Sequence, residues 1–122
     1  MARILLADDD AASRDLVSRA LGSDGHSVVM TQDGSEALDS LNAAPGAYDL
    51  LITDVQMPVL DGVTLAEKAL TRQPGLRVIL MSGYTSELDR AKPLEAKGLS
   101  VISKPFTLEQ IRASVKRALA GR

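Results

Sequence analysis

Short, nearly continuous apolar runs alternate along the chain with segments whose apolar residues recur every three or four positions. The runs cover residues 3–7, 26–30, 49–54, 76–81 and 99–103. A run of that length without polar alternation is what a strand buried on both faces requires. The intervening segments carry helical spacing: Leu16, Val17, Ala20 and Leu21 in the first, Ala37, Leu38 and Leu41 in the second. Val63, Ala66, Lys68, Ala69 and Leu70 follow in the third, and Leu108, Ile111, Val115 and Leu119 form the stripe of the last. Gly22 with Gly25, Pro45-Gly46 and Pro74-Gly75 close the first three helices. Ser35 and Thr107 are the predicted caps of the second and the last.

The stretch from Ser82 to Gly98 is the least regular. Pro93 lies within it, and proline costs about 3 kcal/mol in a helix interior. The expectation is either a short helix ending near Lys92 or two turns with Pro93 opening the second.

Strands alternating with helices predict an α/β fold, a five-stranded parallel sheet with right-handed crossovers and helices on both faces. Three strands end in polar residues suited to chemistry: Asp8-Asp9, Asp54 and Ser82. A flavodoxin-like, doubly wound order of 2-1-3-4-5 makes those strands neighbours and gathers their carboxyl ends, where such sheets carry their sites. The 122 residues fit one domain, 1–122.

Composition narrows the functions. Apolar residues make up 45% and charged residues 25%, so the chain reads as an ordinary soluble globular protein rather than a disordered one. A net charge of −2 offers no basic stripe for nucleic acid, and the three aromatics, Tyr48, Tyr84 and Phe106, make no base-stacking platform. The absence of cysteine excludes disulfides, thiolate metal sites and thiol catalysis. No apolar run is long enough to span a membrane and no signal peptide precedes the first strand, so no membrane partner and a cytoplasmic location are expected.

Asp8, Asp9 and Asp54 are expected to converge at adjacent strand tips. Clustered carboxylates repel one another and raise each other's pKa, an arrangement that a cation relieves. Hard oxygen ligands in an incomplete shell suit Mg²⁺. Asp10 reads instead as a helix N-terminal acid that complements the dipole. Lys104, held out of helical geometry by Pro105, supplies a compact positive charge for an anion such as phosphate. Ser82 offers a hydroxyl that can donate to a phosphoryl oxygen. A carboxylate that attacks a phosphoryl group makes an acyl phosphate, and an aspartate ionised at neutral pH needs no general base for it. Singly, each of these residues has a plain reading as a turn or surface residue; their conjunction carries the chemistry.

With these residues in this order the chain resembles the receiver domains of two-component response regulators over essentially its whole length. The resemblance rests on Asp8-Asp9 after the first strand, Asp54 in TDVQMPVLDG, Ser82 after VILM, and Lys104-Pro105-Phe106. It implies that Asp54 accepts a phosphoryl group from a histidine kinase or a histidine phosphotransfer protein. Asp9 would bind Mg²⁺ directly, Asp8 close by and partly through water, and the backbone carbonyl of Gln56 would complete the protein ligands. Ser82 and Lys104 would contact the phosphoryl group and couple it to the face formed by the fourth helix, fifth strand and fifth helix. Gln56 and Tyr84 occupy the positions that tune dephosphorylation in the family. Val101 stands where many receivers carry an aromatic switch residue, which suggests a variant switch that uses Tyr84.

The chain opens at a methionine and stops after its last helix, so a stand-alone, monomeric receiver acting through a downstream protein is expected. MSGYTSE and KPFTLEQI are similar to segments of small single-domain regulators of the CpdR type, which implies an adaptor in controlled proteolysis; they are also similar to receiver modules of hybrid sensor kinases. Of the competing readings, a Mg²⁺-dependent phosphatase of the haloacid dehalogenase type needs a second acid where Gln56 stands. A flavin or nucleotide binder lacks aromatics and a phosphate-cradling loop. A degenerate receiver that binds partners without phosphate is disfavoured by the intact acid cluster. The expected activity is therefore that of a phosphoacceptor with at most slow self-dephosphorylation, not of an enzyme.

Overall fold

The computed structural model describes residues 1–120; Gly121 and Arg122, the end of the expected 1–122 domain, lie outside the described residues. Strands and helices alternate as β1 (Arg3–Ala7), α1 (Ala11–Ser23), β2 (Ser27–Thr31), α2 (Gly34–Ala43) and β3 (Leu50–Asp54). The chain continues as α3 (Gly62–Arg72), β4 (Arg77–Ser82), α4 (Thr85–Glu95), β5 (Leu99–Ser103) and α5 (Leu108–Ala120). All strand pairs are parallel, in the order β2-β1-β3-β4-β5. This is the flavodoxin-like sheet expected from the apolar runs.

Burial explains why the central runs are unbroken. Every residue of β3 is buried, because β1 and β4 flank it and helices cover both faces. Alternate residues feed opposite layers. Leu5, Leu51, Val78 and Leu80 pack with Ala37, Leu41, Val63, Leu65 and Leu94 on the α2, α3 and α4 side. Ile4, Leu6, Ile52, Ile79 and Met81 pack with Val17, Leu21, Ile111 and Val115 beneath α1 and α5. Each fully buried aliphatic side chain contributes about 1.5–3 kcal/mol, so the strands that carry the site are the most firmly held part of the chain.

Several local expectations are corrected. The N-cap of α2 is Asp33, whose carboxylate accepts from the Glu36 N–H at 2.7 Å; Ser35 lies inside the helix. Lys68 is exposed and Leu65 takes the inward place on α3. Leu16 and Leu108, at core spacing in the sequence, are 53% and 42% exposed because they flank a cleft rather than the core. Pro93 neither ends a helix near Lys92 nor opens a second turn. The fourth helix continues through it to Glu95. Pro93 is exposed and falls in the final turn, where Asp89, the residue whose carbonyl a proline at 93 cannot bond, is also exposed, while Ala91 and Leu94 anchor the other side. Thr107 caps α5 as expected, its Oγ1 accepting from the Gln110 N–H at 3.1 Å and its own N–H donating to Gln110 Oε1 at 2.7 Å.

Candidate functional site

Strand register assembles the site. Ala7 pairs with Thr53, Asp54 with Met81, and Ser82 with Ser103. Asp8, Asp54, Ser82 and Lys104 therefore all emerge at one edge of the sheet, at the carboxyl ends of β1, β3, β4 and β5. Asp10 caps α1 by accepting from the Ala12 N–H at 3.1 Å, the role expected of it. Turning into that helix leaves Asp8 and Asp9 facing β3.

One carboxylate oxygen of each of Asp8, Asp9 and Asp54 lies within 4.8 Å of the other two. Asp8 is fully buried and Asp9 exposed. Asp8 Oδ1 accepts from the Asp10 N–H at 2.9 Å, but its Oδ2 is buried with no hydrogen-bond partner among the described residues. An unpaired buried carboxylate oxygen is costly, and a cation is the partner that removes the cost. Three hard oxygen donors with an open side fit Mg²⁺.

The phosphate-suited lysine is in place. Lys104 Nζ donates to Asp54 Oδ2 at 2.7 Å, with side-chain exposures of 34% and 10%. Burial pushes the Asp54 carboxyl above its ordinary value; the hydrogen bond and charge of Lys104 pull it back, and Asp8 and Asp9 add to the upward push. Asp54 is thus an acid whose charge the site holds at a cost that a bound cation would relieve.

Ser82 lies at the expected strand end, and its hydroxyl is engaged by α4. Its hydroxyl donates to Glu87 Oε1 at 2.7 Å and approaches the Tyr84 carbonyl oxygen at 3.0 Å. Glu87 was not singled out by sequence reasoning, because a glutamate on a helix ordinarily reads as a solvated residue. Its available signal was position: it is the third residue of α4, where a glutamate reaches back to the cap, here the Tyr84 N–H at 3.3 Å. Gln56 is exposed and Tyr84 is 60% exposed, both lining the cleft of about 850 Å³ that contains Asp9, Asp54 and Lys104. Val101 is half-buried on β5 and lines a separate groove beside α4, so it takes no part in this cleft.

The loop between β3 and α3 roofs the site and is held at both ends by glycines. A Cβ on Gly62 would overlap the Asp54 carbonyl oxygen, and one on Gly34 would overlap that of Leu60. Asp61 caps α3 through the Thr64 N–H at 2.9 Å and pairs with Arg90 of α4 at 3.0 Å. Within the loop Val59 adopts a φ of 72°, and the Lys104–Pro105 bond on the opposite rim is cis.

A parallel α/β sheet with an acid triad and a lysine at its carboxyl edge defines a class of phosphate-handling signalling module. The profile of the response regulator receiver domain family matches residues 4–116, and the chain belongs to that family. Among curated proteins it is 35% identical over 117 residues to the response regulator MprA of Mycolicibacterium vanbaalenii, covering 96% of this chain and 50% of that one. The chain thus spans about half the length of the curated relatives it matches. Among solved structures, the receiver domain of the hybrid histidine kinase CckA is 34% identical with a TM-score of 0.81, covering 96% of this chain and 98% of that one. The chemotaxis response regulator CheY4 of Vibrio cholerae is 29% identical with a TM-score of 0.84, covering 98% and 99%. Receivers are phosphoacceptor modules of two-component signalling rather than conventional enzymes. Among the described residues no helix is long and apolar enough to cross a membrane.

Proposed function

We propose that this chain is a phosphorylation-controlled switch in which Asp54 accepts a phosphoryl group from a phosphohistidine on a kinase or phosphotransfer protein. A carboxylate oxygen of Asp54 forms the new bond to phosphorus as the phosphorus–nitrogen bond breaks, and the departing imidazole takes up a proton. The observation that carries this reading is the contact between Lys104 Nζ and Asp54 Oδ2 at 2.7 Å beside the unpartnered Oδ2 of Asp8. One oxygen of the acceptor is held by the Lys104 ammonium, and the carboxylates of Asp8 and Asp9 lie beside it. Asp8, Asp9, Asp54 and the backbone carbonyl of Gln56 would hold Mg²⁺, which when bound neutralises charge on the phosphoryl oxygens. Lys104 follows the phosphoryl group and Ser82 donates to it.

The acid–base position two residues beyond Asp54 is Gln56, so hydrolysis of the acyl phosphate is slow and the molecule switches rather than turns over. In this reading, residues 1–122 form the receiver, it acts in the cytoplasm as a monomer, and its output is a changed protein contact at the α4–β5–α5 face. The similarity of MSGYTSE and KPFTLEQI to CpdR-type regulators favours a proteolytic adaptor as that contact. The 34% identity to the CckA receiver favours a second reading, a receiver module of a hybrid kinase. The apparent mass of the native protein on an immunoblot separates the two.

Beryllofluoride with Mg²⁺ is expected to shift the amide resonances of residues around Asp54, Ser82 and Lys104. No shift in the wild type, or the same shift in Asp54→Ala, refutes the phosphoacceptor role.

A further inference from the structure

Ser82 and Glu87 form a buried hydrogen-bonded pair within the wall of the cleft. They are 4% and 8% exposed. The serine hydroxyl reaches Glu87 Oε1 at 2.7 Å, and the same oxygen accepts from the Tyr84 N–H at 3.3 Å. The Tyr84 carbonyl accepts from the Glu87 N–H at 3.2 Å and lies 3.0 Å from the Ser82 hydroxyl oxygen. The end of β4 and the first turn of α4 are thereby tied into one small network.

A serine hydroxyl carries a single proton. That proton can go to Glu87 or to an oxygen of a phosphoryl group on Asp54, and not to both. A bond to a carboxylate is short and about twice as strong as one to a neutral acceptor, so giving it up opposes phosphorylation measurably. We infer that Glu87 is a latch: a positioning residue that competes with the phosphoryl group for the Ser82 hydroxyl and sets how readily the phosphorylated conformation forms. This inference rests on the reading of Asp54 as phosphoacceptor and of Ser82 as its hydroxyl contact.

The consequence lies in α4. When Ser82 turns to the phosphoryl group, Glu87 loses its hydroxyl donor and keeps the Tyr84 N–H. Arg90, one turn further along the helix, lines with Glu87 a smaller groove next to the cleft and is held there by Asp61 at 3.0 Å. Because Glu87 sits in the first turn, its release acts directly on the start of α4, in a chain whose fifth strand carries Val101 and no aromatic ring.

The test is a beryllofluoride titration of the full chain in Mg²⁺, followed by amide spectra. Its variants are Glu87→Gln, Glu87→Ala, Ser82→Ala and Ser82→Ala combined with Glu87→Gln. Glu87→Gln keeps the volume and an acceptor for the Tyr84 N–H but removes the charge. It is expected to tighten beryllofluoride binding about three- to tenfold, the factor that follows from weakening one such bond by roughly half. Glu87→Ala is expected to tighten it at least as much. In the Ser82→Ala background the glutamine substitution is expected to change nothing.

Unchanged or weaker binding in Glu87→Gln overturns the latch, and so does an equal gain in the absence of the Ser82 hydroxyl. Loss of the folded amide spectrum in both Glu87 variants overturns it as well, since Glu87 is then structural and not a competitor. A wild type that fails to respond, or an Asp54→Ala variant that responds alike, overturns the phosphoacceptor reading instead.

Discussion

Gly62 gives the sharpest test of how the site is held. It opens α3 directly above the end of β3, and its N–H donates to the Val55 carbonyl at 2.8 Å. A Cβ placed there would overlap the Asp54 carbonyl oxygen and lie 2.9 Å from its carbon and 3.0 Å from the Val55 Cα. All three obstacles are backbone, so no side chain can rotate away. Ordinary Cβ contacts begin near 3.4 Å, so β3 and α3 must separate by about 0.5 Å at the carbon alone and by more at the oxygen. Overpacking of this kind costs about 1–3 kcal/mol, and the strand it displaces is buried along its whole length, which places Gly62→Ala at the upper end. The helix-propensity gain of alanine, about 1 kcal/mol at most, offsets part of it. A net loss of about 2 kcal/mol corresponds to a fall in Tm of roughly 8 °C for a chain of this size. The fitting control is Gly83→Ala, where a Cβ meets nothing within 4 Å and the expected change is within about 0.5 kcal/mol. Thermal unfolding and urea titration measure both, and acetyl phosphate labelling of Asp54 is expected to slow only in Gly62→Ala. A Gly62→Ala protein as stable as Gly83→Ala, and labelled as fast as the wild type, refutes the argument that this close approach positions Asp54.

Other expectations follow from single contacts. Asp61 has its carboxyl held below the ordinary value of 3.8: burial opposes ionisation, but the Thr64 N–H and Arg90 outweigh it. Its contribution is therefore present above about pH 4 and is lost as the pH falls through the depressed native pKa. Asp61→Asn keeps the cap and loses the charge. For a side chain 34% exposed it should cost about 0.5 kcal/mol in urea titrations at pH 7, with the gap from wild type closing in strong acid; parallel stability curves contradict this. Mg²⁺ at about tenfold excess over its Kd should stabilise the folded chain by about 1.4 kcal/mol, and Asp8→Ala should abolish that gain; a gain that survives places the cation elsewhere. Val59, 86% exposed at a φ of 72°, is a β-branched residue in the left-handed region, so Val59→Asn should raise stability by about 1 kcal/mol. An unchanged or lower midpoint would show the strain to be absent.

The sheet and its acids were legible because a central parallel strand leaves few alternatives. Leu50-Leu51-Ile52 can only be covered on both faces, and the acids that end such runs must meet at the carboxyl edge. Where the sequence misled, two physical options were nearly equal. Asp33 and Ser35 are both good caps near the start of α2, and only the geometry of the turn selects the first. Pro93 breaks a helix when its missing bond would be buried, but here Pro93 and Asp89 are both exposed. Leu16 and Leu108 satisfy helical periodicity yet border the cleft, since periodicity defines a face and not what lies opposite it. Glu87 was hidden for a different reason. Its burial goes with the hydrogen bond from the Ser82 hydroxyl, and that is a choice of rotamer which no residue spacing encodes.

That rotamer links the two features of this receiver that depart from its family. Val101 has one side-chain torsion and no ring to sweep between buried and exposed positions, and the groove it lines with Thr85, Ser86, Leu88 and Lys92 stays open beside α4. Tyr84 is already 60% exposed, so its ring has little further to travel outward. What remains joined to the chemistry is backbone: the N–H and the carbonyl of Tyr84 are both bound to Glu87, whose carboxylate holds the Ser82 hydroxyl. A change at Asp54 that recruits the Ser82 hydroxyl would therefore reach the start of α4 through those main-chain bonds, over the five positions from Ser82 to Glu87. In the proposed switch this short reach is the route by which the α4–β5–α5 face would respond without an aromatic relay. On the latch proposal, the charge of Glu87, rather than the size of residue 101, would set the balance of that switch.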